Sequence, residues 1–216
     1  MNTETKNAAP GGSELVAVHR GLRREARLLV TLVAATAPGD TDRARLLSGH
    51  FREYRRCLLD CQGAQAAYLR PLLLPRLDLE ADLVLRSAER DDRVAVTLAA
   101  AGAALPGWEA GAGEAGRDAL TALLAEHRAS LLEHLAEEAR LVLPLAARHL
   151  SPSEWDALGA RLLASPGLAL EDADRAERRA LLARLPLPAR VRWYAIGRAR
   201  YARRMRAVRR TPRPAP

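Results

Sequence analysis

The chain has 216 residues, of which 49% are hydrophobic and 28% are charged, and its formal net charge is +8. This length can bury a sizeable core within one domain that carries appendages. Only 4% of the residues are aromatic. Alanine, leucine and arginine dominate, and these residues favour helices over strands. The composition therefore predicts an all-α protein and argues against sheet-based folds.

Hydropathy and the number of cysteines indicate the cellular compartment of the protein. No stretch approaches the roughly 20 uncharged apolar residues that a membrane span needs. The first residues, 1–12, also lack the apolar run of a signal peptide. We therefore expect a soluble, cytoplasmic protein without a membrane span. In that compartment Cys57 and Cys61 are expected to remain reduced thiols.

The positive charge is concentrated at the C-terminal end. No acidic residue follows Glu177, and 11 arginines follow Ala180, so the rest of the chain is slightly acidic. Such an arm could contact phosphates, an acidic membrane surface or an acidic protein partner. No nucleic-acid-binding motif accompanies it, and arginine replaces lysine throughout the chain except at Lys6. Nucleic acid is therefore not an expected partner.

Helical periodicity of the apolar residues predicts four long helices. Their predicted ranges are 13–37, 40–69, 79–105 and 117–150. Asp40 or Thr41 is the expected cap of the second helix, and Pro106 is the expected end of the third. The glycine-rich residues 108–116 are then expected to form a loop. Four amphipathic helices with short connections predict a four-helix bundle, here over residues 13–160.

The remaining segments flank this predicted bundle. A further helix should begin at Ser151-Pro152 and end near Ala164. It introduces accessory helices over 161–210, including an acidic-then-basic helix at 171–184 and an arginine-rich last helix at 191–210. Residues 1–12 and 211–216 are predicted to be a disordered N-terminus and tail.

His134 and Glu138 are the most informative pair of polar residues. One helical turn separates them, so they share a helix face and could bind one metal ion. An isolated pair of this kind also fits a salt bridge on a solvated face. His127 lies two turns earlier on the same face. It is either a hydrogen-bond donor behind the metal ligands or an ordinary histidine at the edge of the core.

The same spacing occurs earlier in the chain. Cys61 and Gln65 precede Pro71 by the distances at which His134 and Glu138 precede Pro144. The helices before these two segments carry His19 and Asp91 at corresponding distances. This repetition predicts two similar helix pairs, each with one polar group on its first helix and two on its second.

The motifs resemble those of the haemerythrin-like family, the HHE cation-binding domain. His19-Arg-Gly-Leu-Arg-Arg24 is similar to the family's first motif, and His134-Leu-Ala-Glu-Glu138 through Pro144-Leu145 is similar to its last. The resemblance covers about residues 14–160. It implies a four-helix bundle with a non-haem di-iron centre, one histidine from each helix and bridging carboxylates from the second and fourth.

By position, His19, His134 and Glu138 match the ligands of that family. Cys61, Gln65 and Asp91 stand where the family has histidine, glutamate and histidine. Gln65 is neutral and cannot bridge two ions as a carboxylate does, so a di-iron centre is not expected.

The sequence leaves two functions open. In the first, a non-enzymatic module holds one iron or zinc ion through His134, Glu138 and either His19 or Asp91, and responds to oxygen, another small diatomic ligand or redox state. In the second, a metal-free bundle is an interaction scaffold that binds an acidic partner through the last helix. No nucleophile–base pair or phosphate-binding loop indicates an enzyme.

Overall fold

The computed structural model describes residues 12–163 and 165–210. Almost all of these residues are helical, and none forms a strand. The prediction of an all-α protein is therefore confirmed. The expected disordered N-terminus, apart from Gly12, and the expected disordered tail lie outside the described residues.

Three short π-helical segments interrupt the series of α-helices. The α-helices are α1 (Ser13–Ala34), α2 (Thr41–Ala64), α3 (Arg70–Leu73), α4 (Ala81–Gly111), α5 (Glu114–Glu137), α6 (Leu143–His149), α7 (Pro152–Leu162), α8 (Gly167–Leu170), α9 (Arg175–Arg184), α10 (Leu187–Arg192) and α11 (Arg198–Arg209). The π-helical segments are Gln65–Leu69, Glu138–Val142 and Trp193–Gly197, and a 3₁₀ turn covers Leu74–Arg76.

Four long helices, α1, α2, α4 and α5, surround the main core. Helix α1 contacts α2 and α5, and α4 contacts the same two helices, so the four contacts close a ring. The apolar stripe of each helix faces the inside of this ring, where leucines and Phe51 are almost fully buried. Burying one such side chain contributes about 1.5–3 kcal/mol, which stabilises these helices more than their intrinsic propensity does.

Short polar side chains fix where several helices begin. Asp40, one of the two caps expected for α2, accepts a hydrogen bond from the Arg43 amide at 3.0 Å. Ser151 and Glu154 form a reciprocal capping box at the start of α7. Asp174 caps α9, so this helix begins at Arg175 rather than at the expected position 171.

The expected end of the third helix at Pro106 is wrong. Helix α4 continues through Pro106 to Gly111, and the turn that follows is confined to Ala112 and Gly113. An internal proline costs a helix about 3 kcal/mol. Here Leu105 and Trp108 on either side of the proline are buried in the core, and their burial offsets that cost.

The two helix pairs share a local irregularity. Gln65 begins one π-helical segment and Glu138 begins another, and each segment is followed by a short helix with proline at its second position. These are the positions that share the repeated spacing in the sequence. π-Helical segments are uncommon and often occur at functional sites. The correspondence supports the predicted repetition of a helix pair.

The C-terminal helices cover one side of the four long helices. Gly21 of α1 allows α8 to approach closely, since a Cβ atom at Gly21 would lie 2.6 Å from the Leu168 carbonyl oxygen. At the end of α11, the buried Arg43 guanidinium donates to the carbonyls of Ala207 and Val208. None of the helices among the described residues is both long and apolar enough to cross a membrane.

Candidate metal centre

The four predicted metal-binding residues meet inside the ring of helices. His19 comes from α1, Asp91 from α4 and His134 from α5, while Glu138 begins the π-helical segment after α5. All four side chains are buried. Their positions follow from helical spacing, because each occupies an inward position of an otherwise apolar stripe.

Glu138 lies at the middle of this group. Its Oε2 atom is 3.5 Å from the Nε2 atom of His19 and 3.5 Å from the Nε2 atom of His134. The Nε2 atom of His134 is also 3.0 Å from the Oδ1 atom of Asp91. The structure therefore brings His19, Asp91, His134 and Glu138 together, and it places Asp91 rather than a neighbouring acid on the inner face of α4.

Several polar atoms of the group have no hydrogen-bond partner among the described residues. These atoms are Nε2 of His19, Nδ1 of His134 and both carboxylate oxygens of Glu138. Buried polar atoms are nearly always paired in proteins, since leaving one unpaired costs about 1–3 kcal/mol. The unpaired atoms of His19 and Glu138 face each other, which marks this point as different from the surrounding core.

Burial sets the ionisation of the group. It lowers the pKa of His19 to about 3, with the nearby Arg23 charge acting in the same direction. It also lowers the pKa of His134 and raises the pKa of Glu138 to about 7, although the charges near Glu138 and the Gln65 amide oppose that rise. Both imidazoles are therefore neutral at pH 7, the form in which histidine binds metals.

Asp91 is held more firmly than the other three side chains. Gln62 donates to its Oδ1 atom at 3.0 Å, and the Arg70 guanidinium pairs with its Oδ2 atom. Hydrogen bonds of this kind orient carboxylates that bind metals. They also satisfy the Asp91 carboxylate without any metal, so Asp91 is weaker evidence for a metal site than Glu138 is.

Cys61 and Gln65 occupy the corresponding place in the first helix pair. Both are buried, and the Gln65 amide nitrogen lies 3.6 Å from the Cys61 Sγ atom. Burial, reinforced by the Glu138 charge, raises the pKa of the Cys61 thiol to about 12. A neutral thiol and a neutral amide replace two charged or basic ligands here, so this half of the group is a poor metal site.

Among the described residues, the hydrogen bonds of His127 go to residues other than these four. Its Nε2 atom lies 2.7 Å from the Tyr54 hydroxyl, and its Nδ1 atom lies 3.0 Å from the Thr97 hydroxyl. Burial lowers its pKa to about 4. Of the two interpretations of His127, the structure favours a core histidine, because hydrogen bonds within the core satisfy both of its nitrogens.

A second buried pair, Glu25 with His50, was not predicted. The Glu25 Oε2 atom lies 2.8 Å from the His50 Nε2 atom, and Arg24 pairs with the other oxygen at 2.7 Å. The sequence did contain a signal for Glu25, because this acid interrupts the apolar stripe of α1 between Leu22 and Leu29. An acid at such a position needs a buried partner.

Neither a metal-binding arrangement nor a relative identifies this site. Among residues 12–163 and 165–210, no group of three or more His, Cys, Asp and Glu side chains is placed so that it could hold a metal ion. In comparisons with known families, curated proteins and solved structures, nothing matches the chain.

Proposed function

We propose that the chain is a haemerythrin-like four-helix bundle that binds one divalent metal ion, iron or zinc, as a non-enzymatic binding or sensing module. The ligands in this proposal are His19, His134, Glu138 and Asp91. The observation that carries it is the meeting of unpaired, buried nitrogen and oxygen atoms of His19 and Glu138, 3.5 Å apart.

The separations between these atoms support the proposal. Ligand atoms that surround a zinc ion at about 2.1 Å in a tetrahedron are about 3.4 Å from one another. Glu138 Oε2 lies 3.5 Å from each of the two imidazole nitrogens, which is longer than a hydrogen bond. The proposal requires side-chain rotations that bring these atoms onto one ion.

The charges of the group also favour one ion over two. Glu138 and Asp91 carry two negative charges when ionised, and the paired Arg70 offsets one of them, so the group has too little negative charge for two divalent cations. The neighbouring positions offer only the Cys61 thiol and the Gln65 amide, and the Arg70 guanidinium is paired with Asp91. A second cation would face these neutral and positive groups without a bridging carboxylate.

Each residue has a distinct role in this proposal. His19 and His134 supply neutral nitrogen donors, and Glu138 loses its proton on binding, since burial holds its pKa near 7. Gln62 and Arg70 orient Asp91. The surrounding apolar side chains exclude water. A bound ion that keeps one coordination position open supplies a binding point for oxygen or another small diatomic ligand.

Thermal unfolding with and without metal tests the proposal. Protein stripped with a chelator is mixed with Zn²⁺, or with Fe²⁺ under anaerobic conditions. Binding to the folded chain alone raises the melting temperature in proportion to the logarithm of metal concentration. We expect the shift in the wild type and in His149→Ala, but not in His134→Ala. Equal shifts in all three proteins, or none in the wild type, would sink the proposal.

A second candidate function uses the last helices rather than the interior. Leu187, Val191, Tyr194 and Ile196 are 55–63% exposed, and arginines lie beside them. An exposed apolar stripe flanked by cations fits an acidic amphipathic partner. If the metal titration fails, binding of a glutamate-rich amphipathic peptide, lost in Val191→Asp, would favour this scaffold function.

A further inference from the structure

A cavity separates α9 from the C-terminal helix formed by α10, the third π-helical segment and α11. Its volume is about 690 Å³, within the range of pockets that hold small organic ligands. Its lining combines mainly positive charge with apolar and aromatic surface. That combination is absent from the interior group of His19 and Glu138, so the cavity is a separate candidate site.

The charged part of the lining is almost entirely basic. Seven arginines line the cavity, against one acid, Glu171. Glu171 is already neutralised, because Arg24 and Arg209 pair with it and the Tyr201 hydroxyl donates to it at 2.6 Å. Arg175, Arg179 and Arg198 are exposed and have no hydrogen-bond or ion-pair partner among the described residues. Their guanidinium groups are available to an anion.

The rest of the lining is apolar. Leu170, Leu182 and Met205 are buried at the cavity, and Trp193 and Tyr194 lie along it. Tyr194 is 60% exposed, so its ring is available for stacking. Flat, rigid aromatic surfaces bind planar or aliphatic groups at a low entropic cost. An inorganic anion alone would leave this surface uncovered.

A neighbouring cavity shows why the charge pattern matters. That larger space, about 970 Å³, also has arginines around it, but the carboxylates of Glu25 and Glu53 line it. Carboxylates repel an anionic ligand, and Arg204 is already paired with Glu53 at 3.0 Å. The smaller cavity is lined by one acid, Glu171, instead of two. Its positive potential is therefore better suited to an anion.

We propose that the cavity between α9 and the C-terminal helix binds a small amphiphilic organic anion. The anionic group, a phosphate, sulfonate or carboxylate, pairs with Arg175, Arg179 and Arg198. The apolar or aromatic body lies against Trp193, Tyr194 and the buried leucines. Guanidinium groups suit such anions because they present paired N–H donors.

Calorimetric titration with three probes tests the role of the arginines and the role of the apolar walls. The probes are 8-anilino-1-naphthalenesulfonate, its neutral analogue N-phenyl-1-naphthylamine and inorganic phosphate. We expect only the first, which has a charge and an aromatic body, to bind with one site per chain. Equal binding of the neutral analogue would overturn the role of the arginines, and equal binding of phosphate would overturn the role of the apolar walls.

Matched arginine variants locate the site. The triple variant Arg175→Gln, Arg179→Gln, Arg198→Gln should weaken binding of the sulfonate probe by about tenfold or more. The control Arg27→Gln, Arg55→Gln, Arg140→Gln removes the same charge from exposed arginines elsewhere. The control should bind as the wild type does. Equal weakening in both triple variants would show a general charge effect and contradict the proposal.

The aromatic wall is tested separately with Tyr194→Ser. This residue is exposed, so the substitution leaves the fold intact. We expect weaker binding of the sulfonate probe, with unchanged circular dichroism. Full binding by this variant and by the arginine triple variant would place the probe elsewhere and reject the site.

Discussion

The Nε2 atom of His19 lies 3.5 Å from the Oε2 atom of Glu138, and neither atom has a hydrogen-bond partner among the described residues. Without a metal, this arrangement destabilises the fold, because a carboxylate is buried without a hydrogen bond. With a metal, the same two atoms become ligands. Stability and metal binding should therefore respond in opposite directions to changes at Glu138.

The first prediction concerns Glu138→Gln. Burial raises the pKa of Glu138 from 4.5 to about 7, so ionisation of this group above pH 7 costs the metal-free protein at most about 3 kcal/mol. The neutral glutamine avoids that cost. We expect Glu138→Gln to unfold at a higher temperature than the wild type at pH 8 in chelator, with a smaller gain at pH 5.

The matched control for this prediction is Glu133→Gln, at an exposed position of α5, the helix that precedes Glu138. It should change the melting temperature little at either pH. A lower melting temperature for Glu138→Gln than for the wild type at pH 8 would mean that the Glu138 carboxylate is well paired in the metal-free fold. That result would remove the reason for placing a metal ion beside it.

The second prediction concerns pH. In the folded chain the pKa of His19 is about 3 and that of His127 about 4, against 6.5 in the unfolded chain. Between these values the unfolded state binds more protons, so the free energy of unfolding rises with pH up to about 6.5 and is lost as pH falls. Glu138 acts in the opposite direction, because its raised pKa lowers the free energy of unfolding as pH rises from 4.5 to 7. It therefore reduces the rise.

Urea unfolding of metal-free protein from pH 4 to pH 7 measures this dependence. His127→Gln should flatten the rise, by at most about 3 kcal/mol over the range, and Glu138→Gln should steepen it. If His127→Gln shifts stability equally at every pH, the histidine is not held neutral by burial.

The third prediction tests the contact between α1 and α8. In Gly21→Ala, the new Cβ atom would lie 2.6 Å from the Leu168 carbonyl oxygen, so α8 must move. We expect a loss of about 1–3 kcal/mol of stability. In Gly49→Ala the added methyl meets no atom within 4 Å, so this variant should gain about 0.5–1 kcal/mol from helix propensity. Equal effects of the two substitutions would contradict the close packing of α8.

The fourth prediction concerns the anchor of the C-terminal helix. Arg43 donates to the Ala207 carbonyl at 3.0 Å and to the Val208 carbonyl at 2.5 Å. Arg43→Met leaves these carbonyls unpaired and should cost about 1–3 kcal/mol. It should also make α11 more accessible to limited proteolysis. Among the described residues, the exposed Arg45 pairs only with Asp42 on its own helix, so Arg45→Met should have little effect. Identical proteolysis of the two variants would show that Arg43 does not anchor the helix.

Local sequence signals predicted much of the fold and of the candidate site. Helical periodicity and caps such as Asp40 and Ser151 located most helices, because these interactions involve residues close in sequence. The distance from His19 to Cys61, nearly repeated from Asp91 to His134, singled out Asp91. The two segments that begin at Gln65 and Glu138 proved to be π-helical, a feature with no recognised sequence signal.

Long-range contacts account for what the sequence did not predict. Pro106 looked like a helix end, but the burial of Trp108 in the core keeps α4 helical beyond it. The pairing of Glu25 with His50 joins two helices and depends on how they pack. The arginine-lined cavity likewise depends on where α9 and the C-terminal helix lie in space. The spacing of residues along the chain does not reveal such contacts between distant segments.

The metal content of the purified protein tests the proposed metal site most directly. Protein prepared without chelator, or reloaded with Zn²⁺ or anaerobic Fe²⁺ and desalted, is measured by mass spectrometry of the elements against protein concentration. We expect one ion per chain in the wild type and in Glu133→Gln, and far less in Glu138→Gln. Metal-free wild-type protein after reloading, or equal metal in all three proteins, would contradict the proposed site.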